Sequence, residues 1–183
     1  MSTATASPIT AGTWKIDTVH SHVGFAVKHM VVSTFRGRFE EYDGALTTGA
    51  DGAVGLQGKV AVDSIQVKDE NLAAHLKAPD FFDSANHPEI GFISSDVRVG
   101  EQGELEVTGE LTIKGNTRPV SARGSISGPH VDIAGNDKLG VELEALVDRR
   151  DFGLDWNAPL PKGGFALDDD VKIQVSLELV REG

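Results

Sequence analysis

The chain has 183 residues, 39 % of them hydrophobic, with a net charge of −11 and no cysteine. That length suits one domain, and the apolar content is enough for a packed core. Without cysteine there is no disulfide scaffold, no thiol nucleophile and no Cys-ligated zinc. The scattered Lys and Arg form no basic patch of the kind that nucleic-acid binding needs.

The first residues, "MSTATASPITAGTW", have neither a basic region nor an apolar run, so residues 1–10 are expected to be a flexible tail and 11–183 a single domain. No stretch approaches 18 apolar residues, the minimum for a spanning helix. The expected location is cytoplasmic.

"TVHSHVGFAVKHM" brings together three of the six histidines. Strict alternation puts Val23, Phe25, Val27 and His29 on one face with Ser21, and His20 and His22 on the other. The three rings then do not converge on a metal. His29 and Ser21 become polar points in an otherwise apolar lining. The same period-two pattern places Phe35, Gly37 and Phe39 inward, then Leu56, Gly58, Val60 and Val62, then Leu105 to Ile113. It returns at Val141 to Val147 and Val171 to Leu179. Turn-type residues separate the runs in "TGADGAV", "VGEQGEL", "IKGNTRPV" and "SGPHVDIAGNDK". About eight long antiparallel strands follow from this pattern, and such a sheet must close or double over to bury its edges.

The segment "VKDENLAAHLKAPDFFDSANHPEI" breaks the alternation. Asp69 is a candidate N-cap, Leu72 and Leu76 make an apolar stripe, and Pro79 stops the helix. The insertion is expected to cover one end of a barrel, with Leu72, Leu76, Phe81 and Phe82 as an apolar gate. His75, Lys77 and the Arg149–Arg150 pair are the candidates for a polar head group nearby, and Asp80 and Asp83 cap the turn. In "DFGLDWNAPLPKGGF", Trp156 is either a plug or part of the entrance. Inward Gly37, Gly58 and Gly109 either leave lumen space or mark bends. No nucleophile elbow, phosphate loop or zinc-helix motif occurs, and the carboxylate pairs fall in solvated turns, so no catalytic constellation is expected.

As an ordered set, "WKIDTVHSHVGFAVKHM…TFRGRF", "DSI", "HLKAPDFFDSANHPEIGFISS", "GELTIKGNTRPV" and "RRDFGLDWN" resemble the YceI-like family, from about Trp14 to Leu179. The resemblance implies an all-β chain: one extended eight-stranded antiparallel lipocalin-like barrel with a short helical insertion. It also implies an apolar lumen for an amphiphilic chain, typically a polyisoprenoid, an isoprenoid quinone or a fatty-acid derivative. The chain departs from the family pattern at Leu72-Ala73, where an Arg-Asp pair is usual, and at "HVDIAGNDK", where an Asp-Pro-Trp-Gly loop is usual.

The expected function is therefore non-catalytic lipid binding for transport, storage or sequestration, with no cofactor. The candidate ligand contacts are Val23, Phe25, Val27, His29, Phe35, Phe39, Val60, Leu72, His75, Leu76, Phe81, Phe82, Phe92 and Trp156. The expected partners are an amphiphilic lipid and a second copy in a homodimer. No nucleic acid is expected, and any membrane contact would be transient. Two alternatives stand beside this: a metal-dependent enzyme or stress protein using His20, His22 and His29, and a dimeric interaction module with a filled core.

Overall fold

A computed structural model describes residues 9–183. The expected tail falls mostly outside the described residues. Ile9 is already buried, at 4 % exposure, among the core side chains.

The eleven strands of the described residues all belong to one antiparallel sheet. β1 (Gly12–Ile16) and β2 (His22–His29) are two halves of one bent strand. Both lie along β11 (Leu167–Arg181), with Trp14 opposite Arg181 and Phe25 opposite Ile173. β3 (Ser33–Phe39) and β4 (Tyr42–Thr48) return beside them as a second bent strand. β5 (Val54–Ala61) and β6 (Ile65–Gln66) make a third. β7 (Glu89–Val99), β8 (Glu104–Ile113), β9 (Asn116–Val131) and β10 (Asp137–Asp148) complete the circuit back to β11. The result is the expected closed eight-stranded barrel. Its closing seam is the β1–β11 ladder, between opposite ends of the chain.

The sheet is continuous at one end and split at the other. β5 pairs with β7, but β6 pairs only with β3, so the wall opens between β6 and β7. The intervening chain carries α1 (Glu70–Lys77). Asp69 caps it, accepting from the Leu72 N–H at 2.9 Å. Ala78 turns extended before Pro79 and ends it. Leu76, Phe81 and Phe82 are buried against Phe39, Val60 and Ile65, so the insertion closes over the split end as expected. At the continuous end Trp14, Leu46, Leu105, Leu139, Val141 and Leu179 are almost wholly buried and form a solid floor.

β9 departs from the sequence expectation. "IKGNTRPV" and "SGPHVDIAGNDK" have turn-type composition, yet strand runs through much of both, and the turns are confined to Lys114–Gly115 and residues 132–136. Small residues are required there because β9 lies close against β10: a Cβ at Gly124 would overlap the Glu142 carbonyl oxygen. β7 hides its own alternation by another device. A bulge between Ser94 and Asp96 switches parity, so Phe92 and Val97 both pack inward.

Candidate functional site

A cavity of about 450 Å³ runs down the barrel between the split end and the floor. Ladder register builds its wall. Val171, Val27 and Phe35 lie side by side in one row, and Val175, Val23 and Phe39 in another. Every residue expected as a ligand contact lines this cavity, from Val23, Phe25, Val27 and His29 on β2 to Trp156 in the β10–β11 connection.

Leu56, Val107, Ala122, Leu143 and Leu177 also line it toward the floor, and Met30 and Tyr42 line it away from the floor. Most of these had a readable signal, because Leu56, Val107, Leu143 and Leu177 share the inward parity of their strands. Ala122 had none, since β9 does not alternate in size or polarity.

Four phenylalanines form a cluster in the lumen. The Phe25 ring lies 6.2 Å from Phe35, 6.0 Å from Phe39 and 6.4 Å from Phe82, in tilted or edge-on geometries. Gly37 makes room for it: a Cβ there would stand 2.6 Å from the Phe25 ring. Gly109 seats Phe92 in the same way, also at 2.6 Å. These two inward glycines neither leave lumen space nor mark bends; each accepts an aromatic ring. Gly58 differs. It faces Gly44 across the β4–β5 ladder and lines the cavity, leaving a stretch of wall without side chains.

At the mouth, Trp156 stacks edge-on to His75 at 5.2 Å and lies 5.4 Å from Phe81. His75 also meets Phe81 at 4.9 Å, and its Nε2 is 3.5 Å from Asp80. Trp156 thus lines the cavity at the split end and is packed against the helical insertion. Asp80 faces His75 rather than capping the turn, whereas Asp83 accepts from the Asn86 side chain. The His29 ring lines the cavity and has no hydrogen-bond or ion-pair partner among the described residues.

The expected arginine head-group pair is corrected. Arg149 is buried at 5 % exposure. It donates from Nη1 to the carbonyls of Leu154 (2.6 Å) and Trp156 (2.8 Å), and from Nε to Asp168 O (2.9 Å). Its Nη2 meets Asp169 at 3.2 Å. Nη1 therefore holds the connection that carries Trp156, while Nε and Nη2 tie it to the start of β11, so the guanidinium, although it borders the cavity, is taken up by the fold. Arg150 points away and pairs with Asp148 at 2.7 Å, a contact that holds the Asp148 carboxyl below the usual range. Lys77 does not line the cavity.

The three clustered histidines end in three places. His20 sits in the bend between β1 and β2, not on a strand, and its Nδ1 is 2.9 Å from Asp17 Oδ2. Asp17, His20 and Glu178 offer ligand atoms within 4.8 Å of one another. The Lys138 ammonium lies among them, 2.9 Å from Glu178 and 3.4 Å from Asp17, so the carboxylates already have a cation. His22 is exposed on the outer wall and His29 is in the lumen. Ser21 is not a lumen group, as alternation had it. Its hydroxyl donates to Asp17 O and accepts from Glu178 N, pinning the bend.

The YceI-like domain model matches residues 14–179. The chain belongs to the YceI-like family. A UPF0312 protein of Staphylococcus aureus is 31 % identical over 165 residues, covering 88 % of this chain and 94 % of that protein. A UPF0312 protein of Staphylococcus epidermidis is 27 % identical over 168 residues, covering 90 % and 95 %. Among solved structures, BcnA of Burkholderia cenocepacia superposes with a TM-score of 0.76 at 22 % identity, covering 89 % of this chain and 98 % of that one. A polyisoprenoid binding domain from Saccharophagus degradans superposes with a TM-score of 0.68 at 12 % identity, covering 92 % and 98 %. At these identities the two structures establish the shared barrel of YceI-like chains and nothing finer.

Proposed function

We propose that this YceI-like chain binds one amphiphilic long-chain lipid in the barrel lumen, without chemistry, and so transports, stores or sequesters it. The observation that carries this reading is the cavity itself: about 450 Å³, within the usual range for ligand sites, and walled by aliphatic and aromatic side chains. A filled-core interaction module has no use for such a space. Polyisoprenoids, isoprenoid quinones and fatty-acid derivatives suit it because each CH2 transferred from water contributes about 0.8 kcal/mol. Affinity then needs few polar contacts. His29, with its unpartnered ring, and His75 at the rim are the groups placed to meet a polar head. The Saccharophagus degradans domain, named as polyisoprenoid binding, lends the reading support through its shared barrel.

The test is native mass spectrometry and solvent extraction of the purified chain, followed by titration with an isoprenoid quinone. Quinone quenching is expected at Trp156, which lines the mouth, and not at Trp14, which is buried in the floor. A chain that yields no lipid and takes up neither quinone nor long-chain fatty acid would overturn the proposal.

A further inference from the structure

Beyond the lumen, the β2–β3 turn is built against its own backbone preferences. Met30 and Val31 have φ of 51° and 69°. Gly and Asn adopt such angles readily, whereas for a β-branched residue the left-handed region is a true outlier. Met30 lines the cavity, but packing inside the fold does not account for the two valines that follow it. Val31 is 65 % exposed, and its neighbour Val32 is 84 % exposed. Backbone strain at a site that packing does not explain motivates the search for a functional constraint there.

A second loop reinforces the first. The Met30 N–H donates to Ala166 O at 2.8 Å, which brings Phe165, 59 % exposed, beside the turn. A Cβ at Gly164 would be 3.5 Å from the Val31 side chain. Four of the nine exposed large hydrophobic residues among the described residues, Met30, Val31, Val32 and Phe165, therefore form one patch. It borders the ligand entrance, since Met30 and Ala166 also line the cavity.

The geometry points to this patch as the site where the chain inserts into the surface of a lipid bilayer, with the lumen opening directly onto it. The inference rests on the reading of the lumen as a lipid site. Two features select a bilayer over a second copy of the chain. The apolar side chains of the patch are at turn tips, where shallow insertion requires no complementary shape. It also joins the apolar lumen, so a hydrocarbon tail could pass from membrane to cavity without crossing water. Charge has no part in the attraction. Exposed Lys28 and Lys162 flank the patch, but so do exposed Asp168 and Asp170, on a chain of net charge −11. Docking should therefore work on uncharged membranes and resist salt.

The experiment is sedimentation of the full chain with vesicles of pure phosphatidylcholine, at low and high salt. The variant is Val31→Gly/Val32→Ser. Glycine removes the strained side chain, so its thermal midpoint should hold or rise, which separates lost docking from misfolding. The wild type is expected to co-sediment at both salt concentrations, and the variant to lose vesicle affinity by roughly tenfold or more. Uptake of a short-chain isoprenoid quinone from solution, without vesicles, should be the same for both. Failure of the wild type to bind vesicles, or equal binding by the variant, overturns the inference even if quinone uptake is intact. So does a variant whose only change is in self-association, which would make the patch a contact between copies. Loss of quinone uptake by both proteins would instead overturn the lumen reading.

Discussion

Phe25 owes its position to the hydrogen that serves as a side chain at Gly37. The ring lies over the glycine, 2.6 Å from where a Cβ would stand. Gly37→Ala should push the ring into the lumen. We expect a loss of about 1–3 kcal/mol in denaturant unfolding together with weaker quinone uptake, as overpacking does. Unchanged uptake would mean that the ring has somewhere else to go. In the β1–β2 bend the governing effect is charge. The Asp17 hydrogen bond raises the pKa of His20 above 6.5, and the same bond lowers that of Asp17 below 3.8. A raised histidine adds stability that is complete below its unfolded value and disappears as pH rises through its folded value. A lowered carboxylate adds stability above its unfolded value and loses it as pH falls through its folded one. The pair therefore contributes fully between 3.8 and 6.5. His20→Gln should flatten the decline in thermal midpoint above pH 6.5, while leaving Lys138 to neutralise Asp17 and Glu178. Residue identity along a strand disclosed which faces were apolar. It could not disclose that His20 sits in a bend, because the parity argument assumes an unbroken strand.

The β10–β11 connection depends on one buried guanidinium. Arg149 satisfies the Leu154 and Trp156 carbonyls and anchors them to Asp168 and Asp169. Replacing it with leucine leaves those buried acceptors unpaired, so Arg149→Leu should cost roughly 3 kcal/mol. Arg149→Lys should rescue little, since one ammonium cannot reproduce the planar fork. With Trp156 freed, quinone should leave faster than it does from the wild type. Stopped-flow release measures this, and an unaltered release rate would remove Trp156 from the entrance. In the sequence this arginine looked like a head-group ligand, since a charged pair near a mouth has that appearance. Only the fold shows that its partners are three backbone carbonyls and the Asp169 carboxylate. α1 was legible because its signals are local: a cap at Asp69, a stripe at Leu72 and Leu76, and a stop at Pro79. β9 was not, because glycine, serine and proline mean turn locally. Their reason here is the close approach of β10, which is not local.

For the molecule as a whole, the lumen links stability to occupancy. A lipid that binds only the folded barrel should raise its stability by about 2.7 kcal/mol at a hundredfold excess over Kd. For a chain of this size, that is a midpoint shift of roughly 5–10 °C. Thermal melts with and without isoprenoid quinone check it, and Ala122→Trp, which fills the floor of the cavity, should abolish the shift. Alternation announced an antiparallel sheet that must close or double over to bury its inner faces, and the resemblance to the YceI-like family supplied the closed barrel. Which strands meet at the seam lay beyond it, because β1 and β11 pair across nearly the full length of the chain. That seam has one more consequence. A Cβ at Gly12 would stand 3.1 Å from the Arg181 side chain, and Trp14 is directly opposite Arg181. The order in which the ribosome makes the strands is therefore incidental to the finished ring. A circular permutant with a short Gly/Ser linker across the seam, and new ends cut into the exposed turn at residues 49–53, should fold to the same barrel and fill with the same lipid.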